Sequence, residues 1–232
     1  MPIDARIIQE IKKPWTNKRS LMVAILCLII GLAIFLTSYL GASESLGIGS
    51  FNKSILEFML GLRQINMTGA MTTVTFFGSA ISLTIITALI ALIWASYKRE
   101  LWRPLLLVLS MIAAAFASTA LKSELMIGRP APTSMVPPIA TDFAFPSGHT
   151  LCIFVLLLAI GYLICSRRSS AVKITVWIIS TIIGTAIIAI SRLYLGYHWL
   201  TDIVASIGLG LIIMAVVIFV DKIITNKFTR LQ

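Results

Sequence analysis

Six long apolar runs limit what this chain can fold into more than any other feature. They cover approximately residues 21–40, 68–95, 104–121, 149–165, 171–190 and 201–220. A helix needs about 20 mainly apolar residues to cross the hydrocarbon layer of a bilayer, and each run approaches or exceeds that length. Only 12% of the residues are charged. Because this is about half the share of a soluble globular protein, polar surface cannot cover the chain in water. We therefore predict an all-α, polytopic membrane protein with six transmembrane helices.

The Lys and Arg residues predict the orientation of these helices. Fourteen of the 19 precede the first run, follow the last, or lie in the two connections on the same side as the termini. Because cytoplasmic segments of membrane proteins are enriched in Lys and Arg, we expect both termini to be cytoplasmic. The connections 41–67, 122–148 and 191–200 then face outward. The net charge of +10 is thereby explained by membrane topology rather than by nucleic-acid binding.

A short segment before the second run has the pattern of an amphipathic helix. Within residues 51–66, the apolar residues Ile55, Phe58, Met59 and Leu62 stand at positions i, i+3, i+4 and i+7. This spacing puts an apolar stripe on one side of a helix, and we expect that helix to lie in the outer interface. Alternatively, it is a packing helix that only ties the first two runs together.

Polar residues at the predicted outer helix ends are the candidates for function, because such residues are costly in a membrane unless they are paired or used. Lys122 and Arg129 stand seven residues apart at the end of the third run, and Pro130 follows them. Taken alone, basic residues at this position often only complement the helix dipole or reach toward lipid head groups.

A second stretch, Pro146-Ser147-Gly148-His149, leads directly into the fourth run. Gly148 lets the backbone approach a ligand closely, and Ser147 offers a hydroxyl. The helix that follows presents free N–H groups at its start, which together form a potential anion site. The alternative is that these residues are only a turn and a helix cap.

A third stretch joins the fifth and sixth runs and contains Ser191, Arg192, His198 and Asp202. If the sixth helix begins near His198, Asp202 lies one turn further along the same face. Its carboxylate can then accept a hydrogen bond from one imidazole nitrogen and leave the other nitrogen free.

The predicted topology brings all three stretches to the outer side, where they can form one pocket. Three fixed cations with an arginine fork are suited to a tetrahedral oxyanion, and we expect phosphate. No cluster of carboxylates is available for magnesium or calcium, and the cations would repel a divalent metal. We therefore expect neither a metal nor another cofactor. The loop carboxylates Glu124 and Asp142 could gate the pocket or balance its charge, or could simply be solvated.

Two histidines without a metal suggest a covalent route for phosphate chemistry. One imidazole can attack phosphorus while the second protonates the leaving oxygen, and water then hydrolyses the phosphohistidine. His198 is the better candidate nucleophile because Asp202 can orient it, and His149 is the better candidate acid. The cations Lys122, Arg129 and Arg192 would stabilise negative charge in the transition state.

The three stretches resemble the signature of the type 2 phosphatidic acid phosphatase superfamily, K-x6-R-P, P-S-G-H and S-R-x5-H-x3-D. All specified positions are present, within residues 122–202 of what we predict to be a single domain spanning 1–232. The resemblance implies an all-helical, metal-independent phosphatase with His198 as nucleophile, Asp202 supporting it and His149 as acid. It also implies that phosphate is held by Lys122, Arg129, Ser147, Gly148 and Arg192, with support from Pro130, Pro146 and Ser191.

The six-run layout resembles the bacterial membrane members of this superfamily. That resemblance implies hydrolysis of a lipid phosphate or pyrophosphate, such as phosphatidylglycerophosphate, undecaprenyl pyrophosphate or phosphatidic acid. The site would face outward from the bacterial cytoplasmic membrane, with membrane lipids as partners and no obligate protein partner evident. Two alternatives remain: a lipid-to-lipid phosphotransferase with the same site, and an anion transporter with a proton relay of His149, His198 and Asp202.

Overall fold

The computed structural model describes residues 17–166 and 170–229, and within these ranges the regular structure is entirely helical. The helices are α1 (Asn17–Glu44), α2 (Asn52–Gly61), α3 (Ile65–Phe77), α4 (Ala80–Lys98), α5 (Trp102–Leu125), α6 (Gly148–Cys165), α7 (Ala171–Tyr194) and α8 (Leu200–Thr229). Short 3-10 turns occupy Gly47–Phe51 and Pro132–Ser134. Several basic residues that orient the chain lie outside the described ranges, namely Arg6, Lys12, Lys13, Arg167, Arg168 and Arg230.

Six of these helices are long and apolar enough to cross a membrane: α1 and α4 through α8. They confirm the predicted all-helical fold with six spans. Helices α6 and α8 form the centre of the bundle, because 61% of the most apolar stretch of each is buried, against 17% in α1 and in α4. The peripheral helices instead expose large apolar side chains, such as Phe116 and Ile182, as expected of surfaces that face lipid.

The prediction of one continuous second helix over 68–95 is wrong. The chain leaves the helical path after Phe77, and the Ser79 hydroxyl accepts a hydrogen bond from Ser82 N at 3.3 Å to start a new helix. A side chain on Gly78 would stand 2.9 Å from Ile188 Cγ2, so the backbone here packs tightly against α7. Hydropathy alone missed the break because both pieces are apolar. Only α4 is long enough to span, since α3 has 13 residues.

The predicted amphipathic helix is present as α2, which is shorter than 51–66. Its Ile55 and Met59 pack against a buried cluster formed by Ala189, Leu193 and Ile203. Phe58 and Leu62, the other two residues of the predicted stripe, remain exposed. Helix α2 therefore packs against α7 and α8 with part of the stripe, while the exposed part remains available to an interface.

Candidate active site

The three motif stretches meet at one end of the bundle, which we call the motif end. Helix α5 ends there, α6 begins there, and α7 connects there to α8. Three groups of contacts join the stretches. Arg129 donates to the carbonyl of Tyr197, Ser147 N donates to the carbonyl of Asp202 at 3.3 Å, and Lys122 and His149 line the same cavity.

The turn between α7 and α8 aims the third motif into the site. Gly196 has a φ of +76°, and a side chain there would overlap the carbonyl of Ser134, so only glycine fits this turn. Tyr197 N donates to the carbonyl of Arg192 at 3.1 Å and closes the turn. From the other side, Asn52 Oδ1 accepts a hydrogen bond from Thr201 N at 3.1 Å and caps the start of α8.

His198 and Asp202 form the predicted pair, but the geometry differs from the prediction. Helix α8 begins at Leu200, so His198 precedes it instead of lying on its face. Asp202 reaches back, as in one half of a capping box, and its Oδ2 accepts from Trp199 N at 2.8 Å. The same oxygen lies 3.1 Å from His198 Nδ1. Both side chains are buried, with 2% and 0% of their surfaces exposed.

The hydrogen-bond partners of His198 assign its tautomer. Arg129 Nη1 lies 3.4 Å from His198 Nε2, and because a guanidinium can only donate, Nε2 must be the acceptor. The proton is therefore on Nδ1, where the carboxylate of Asp202 accepts it. This assignment leaves the lone pair of Nε2 directed at the cations of the site.

Burial and charge keep this imidazole neutral. Burial lowers the pKa of His198 well below its ordinary value of 6.5, and the positive charges of Arg192, Arg129 and Lys122 lower it further. An imidazole surrounded in this way is available as a nucleophile or a base rather than as a fixed cation.

Lys122 and Arg129 share one carboxylate partner, Asp142. Lys122 Nζ lies 2.8 Å from Asp142 Oδ2, and Arg129 Nη2 lies 2.8 Å from Asp142 Oδ1. Burial raises the pKa of Asp142, but its hydrogen bond to Lys122 and the charges of both cations outweigh burial and hold that pKa below its ordinary value. Glu124, by contrast, is exposed and makes no ion pair among the described contacts.

The second motif begins α6 without using its serine side chain as a cap. Ser147 is fully buried at the cap position, and its hydroxyl accepts from Thr150 Oγ1 at 3.2 Å rather than from the first backbone amides. Ser206 Oγ donates to the carbonyl of Ser147 at 3.0 Å and fixes this turn to α8. A side chain on Gly148 would stand 3.1 Å from Ser118 Oγ, so α6 starts in close contact with α5. Ser147 therefore stands at the cap position of α6, as the turn-and-cap alternative expects, but its hydroxyl makes no cap hydrogen bond.

His149, in the first turn of α6, lines a cavity of about 650 Å³. Lys122, Gly148 and Asp142 line the same end of this cavity. The rest of it runs between α4 and α5 along mainly apolar residues, including Leu83, Ala88, Val108, Met111 and Ala115. A polar end that continues into an apolar channel is suited to a ligand with a charged head and an apolar tail.

Arg192 is held by Thr75, a residue that belongs to none of the three motifs. Its Nη1 donates to Thr75 Oγ1 at 3.0 Å, and its guanidinium stacks over the Tyr197 ring at 4.2 Å from the ring centroid. Its Nε has no partner among the described residues. Thr75 stands at the end of α3, so the break in the second apolar run is what brings it here.

The three residues predicted to support the site, Pro130, Pro146 and Ser191, are buried beside it. Pro130 and Pro146 are buried beside the first and second motifs. Ser191 donates to the carbonyl of Ile188 within its own helix at 2.7 Å. All site residues expected from the motifs thus lie at the motif end.

The sequence identifies Arg63 only as one of the basic residues of the outward connections. In the structure it stabilises the backbone of the third motif. Its Nε donates to the carbonyl of Tyr194 at 3.0 Å, and its Nη2 donates to the carbonyl of Ser134 at 2.6 Å. It therefore joins the α2–α3 connection to the end of α7. Across the described ranges, no group of three or more His, Cys, Asp or Glu side chains could hold a metal ion.

Comparison with known proteins agrees with the motifs. Residues 103–223 match the model of the PAP2 superfamily. The chain is 27% identical over 192 residues to phosphatidylglycerophosphatase B of Bacillus subtilis, a match that covers 81% of this chain and 92% of that protein. It is also 27% identical over 190 residues to an undecaprenyl-diphosphatase of Sulfolobus acidocaldarius, covering 80% and 84% of the two chains.

Two solved structures share the fold. The crystal structure of a transmembrane PAP2-type phosphatidylglycerolphosphate phosphatase from Bacillus subtilis matches with a TM-score of 0.72 at 25% identity, over 83% of this chain and 96% of that one. Aquifex aeolicus LpxE matches in fold, with a TM-score of 0.52 at 17% identity, over 73% and 94%. The resemblance found in the three motifs is confirmed, and this chain is a multi-pass membrane phosphatase of the PAP2 superfamily.

Proposed function

We propose that this protein hydrolyses a lipid phosphate or diphosphate without a metal, through a phosphohistidine on His198. The observation that carries the proposal is the state of His198. Its Nδ1 proton is held by buried Asp202, and its unprotonated Nε2 accepts a hydrogen bond from Arg129. Two relatives are named for action on phosphatidylglycerophosphate and on undecaprenyl diphosphate, so these lipids and phosphatidic acid are the candidate substrates.

In the first step, the lone pair of His198 Nε2 attacks phosphorus. The bond between phosphorus and the lipid oxygen breaks. His149, which is the imidazolium when the phosphate anion occupies the site, passes a proton to that leaving oxygen. The products are the phosphohistidine and a lipid alcohol, or a lipid monophosphate when the substrate is a diphosphate. Asp202 stabilises the charge that develops on the imidazole, because it already accepts the Nδ1 proton.

In the second step, water attacks the phosphohistidine while His149 takes a proton from it. The phosphorus–nitrogen bond breaks, neutral His198 is regenerated, and inorganic phosphate leaves. Lys122, Arg129 and Arg192 stabilise the phosphate oxygens in both steps. The Ser147 hydroxyl and the main-chain N–H groups from Gly148 onward complete the phosphate site, while Pro130, Pro146 and Ser191 shape the backbone around it.

The cavity between α4 and α5 would hold the apolar tail of the substrate, which enters sideways from the lipid. We place the motif end on the outer face of a bacterial cytoplasmic membrane. Basic residues at the opposite end of the described bundle support this orientation through the positive-inside rule: Lys18, Arg19, Lys98, Arg99, Arg103, Lys173 and Lys222. Both termini would then be cytoplasmic. Because α2 and α3 also position the motifs, we propose that residues 1–232 form one domain.

Phosphate release by the purified protein in detergent with EDTA tests this function. We expect at least one of the three candidate lipids to be hydrolysed, and His198→Ala to lose activity by at least about 10³-fold. Glu124→Gln is the matched control, because it changes a charge near the site without touching a motif residue. Full activity of His198→Ala, or dependence on an added divalent metal, would contradict the mechanism.

A labelled substrate tests the covalent step and the alternatives. With the terminal phosphorus labelled, alkali-stable label should stay on the wild-type chain after a rapid quench and be absent from His198→Ala. Transfer of the label to an added lipid alcohol, in place of release as phosphate, would identify a phosphotransferase. Accumulation of intact labelled substrate inside vesicles would identify a transporter.

A further inference from the structure

Among the described residues outside the motifs, Asp142 contacts both cations of the first motif. Its two carboxylate oxygens bind Lys122 Nζ and Arg129 Nη2, each at 2.8 Å. Its main-chain carbonyl also accepts from Arg129 Nε at 2.8 Å. Lys122 further donates to the carbonyl of Phe143. One short segment of the loop thus engages both cations of the first motif.

The contact with Asp142 occupies N–H donors of Arg129 that phosphate would otherwise bind. A guanidinium has five N–H donors. Contacts within the protein use four of them: Nε and one on Nη2 serve Asp142, and the two on Nη1 serve the Tyr197 carbonyl and His198 Nε2. One donor is left. Arginine recognises phosphate best with two parallel N–H groups. The main-chain carbonyl and the carboxylate of Asp142 together occupy the parallel Nε and Nη2 pair of Arg129, so that pair becomes available to phosphate only when both oxygens move away.

The two sides of this ion pair differ in their freedom to move. The side chains of Lys122 and Arg129 are 15% and 8% exposed, whereas that of Asp142 is 59% exposed. Asp142 lies in the loop between α5 and α6, with a direct path to solvent. The carboxylate can therefore leave the site, whereas the two cations are enclosed by the protein.

We infer that Asp142 is a displaceable counter-ion that competes with the phosphate group of the substrate for Lys122 and Arg129. This inference rests on the proposed function, which assigns those cations to phosphate. The substrate displaces the carboxylate from the cations when it binds. After hydrolysis the carboxylate returns, and this competition weakens the hold of the site on inorganic phosphate and speeds its release. Asp142 therefore sets the balance between substrate affinity and product inhibition.

Inhibition by inorganic phosphate tests the inference. Asp142→Asn keeps the size of the side chain and removes its charge, so the inhibition constant for phosphate should fall by about three- to tenfold. The KM for the lipid should fall in the same direction, and kcat should not rise. Asp142→Glu, which retains the charge, should stay within about twofold of wild type. Glu124→Gln removes a neighbouring charge that pairs with neither cation and should leave the inhibition constant unchanged.

Several results would overturn the inference. One is a rise in the inhibition constant and in KM for Asp142→Asn, which would mean that the carboxylate only holds the cations in place. Another is an equal change in Asp142→Asn and Glu124→Gln, which would mean a general charge effect. If Asp142→Asn cannot be purified, Asp142→Ser carries the same expectation.

The test separates this inference from the proposed function. If the wild-type protein hydrolyses no candidate lipid, the proposed function fails. Phosphate or orthovanadate binding, measured as thermal stabilisation of wild type and Asp142→Asn, then still decides whether the carboxylate competes with an oxyanion. If hydrolysis occurs but both proteins bind phosphate equally, only the inference about Asp142 fails.

Discussion

Two buried aspartates lie near opposite ends of helix α8, and their surroundings differ. Asp221 accepts from Trp102 Nε1 at 2.8 Å through one oxygen and from the Tyr162 hydroxyl at 2.7 Å through the other. Asp202 uses a single oxygen for both of its side-chain contacts, with His198 and the backbone of Trp199. Its other oxygen, Oδ1, has no partner among the described residues.

The difference separates a structural carboxylate from one suited to chemistry. Both oxygens of Asp221 bind donors from α5 and α6, which joins those helices to α8. Asp202 instead pairs with an imidazole whose second nitrogen faces a cluster of cations. A buried polar atom without a partner costs free energy, and such atoms are rare in proteins outside sites with a special role. The motif end is therefore arranged for binding charge, and the opposite end for holding helices together.

Of the two aspartates, Asp202 should have the larger effect on activity. In Asp202→Asn, the side-chain amide can donate to His198 Nδ1, which would move the imidazole proton to Nε2 and remove the nucleophilic lone pair. We expect kcat to fall by about 10²–10⁴-fold with little loss of thermal stability. Lipid hydrolysis and a melting curve in the same detergent measure the two quantities. Near-normal kcat would show that Asp202 does not set the tautomer.

Asp221 should show the opposite pattern. Asp221→Ala removes the acceptor of Trp102 and Tyr162, and we expect it to reduce the free energy of unfolding by about 2–4 kcal/mol. Activity per folded molecule should stay within about twofold of wild type, since this carboxylate lies at the far end of α8 from the motifs. Unfolding by SDS titration, followed by tryptophan fluorescence, measures the stability. A stable but inactive Asp221→Ala protein would contradict the structural role given to Asp221.

Arg192 should depend on its planar shape as well as on its charge. Lysine in its place keeps the charge but cannot stack equally on Tyr197 or reach Thr75 and phosphate with one rigid fork. We expect Arg192→Lys to lower kcat/KM by about 10- to 100-fold. The matched variant Thr75→Val removes only the hydroxyl partner of Arg192, and should lower kcat/KM by about two- to fivefold. Equal activity of Arg192→Lys and wild type would reduce Arg192 to a point charge.

The smallest expected effect is spectroscopic, and it follows from the lowered pKa of His198. The chain has 2 histidines, so histidine-labelled protein gives two imidazole signals, and His198→Asn identifies one of them. We expect the His198 signal to titrate well below pH 6.5. Because an unfolded chain would bind a proton there at a higher pH, the folded state should lose stability as the pH falls from about 6.5. Titration near 6.5 would contradict the buried, cation-surrounded environment.

Much of the fold was predictable, because helices in a membrane must satisfy their own backbone hydrogen bonds and so need long apolar runs. The break in the helix at Gly78 and Ser79 was not predictable. Both flanking segments are apolar, and hydropathy does not report the close packing of this backbone against α7. The contact between His198 and Asp202 is expected on one helix face if α8 begins near His198, but α8 begins at Leu200. The His198–Asp202 contact survives that shift because Asp202 reaches back past the helix start.

Some site residues could likewise be predicted from the sequence, and others could not. His198, Asp202 and the motif cations were identifiable from their spacing, but Thr75, Asn52 and Arg63 reach the site from helices with no motif. Asp142 was recognisable only as one of two loop carboxylates with open roles. Its contact with two cations depends on the path of a loop that no periodic pattern describes.

Composition and residue spacing were enough to predict a bundle of membrane helices and to identify the residues that we propose for its phosphate chemistry. Both conclusions depend on local composition and on spacing along the chain. The folded structure was needed to assign the protonated nitrogen of His198, the oxygen of Asp202 that lacks a partner, and the carboxylate that binds the cations. These features arise from contacts between distant segments, and their energies depend on burial and distance, neither of which is encoded at any one position.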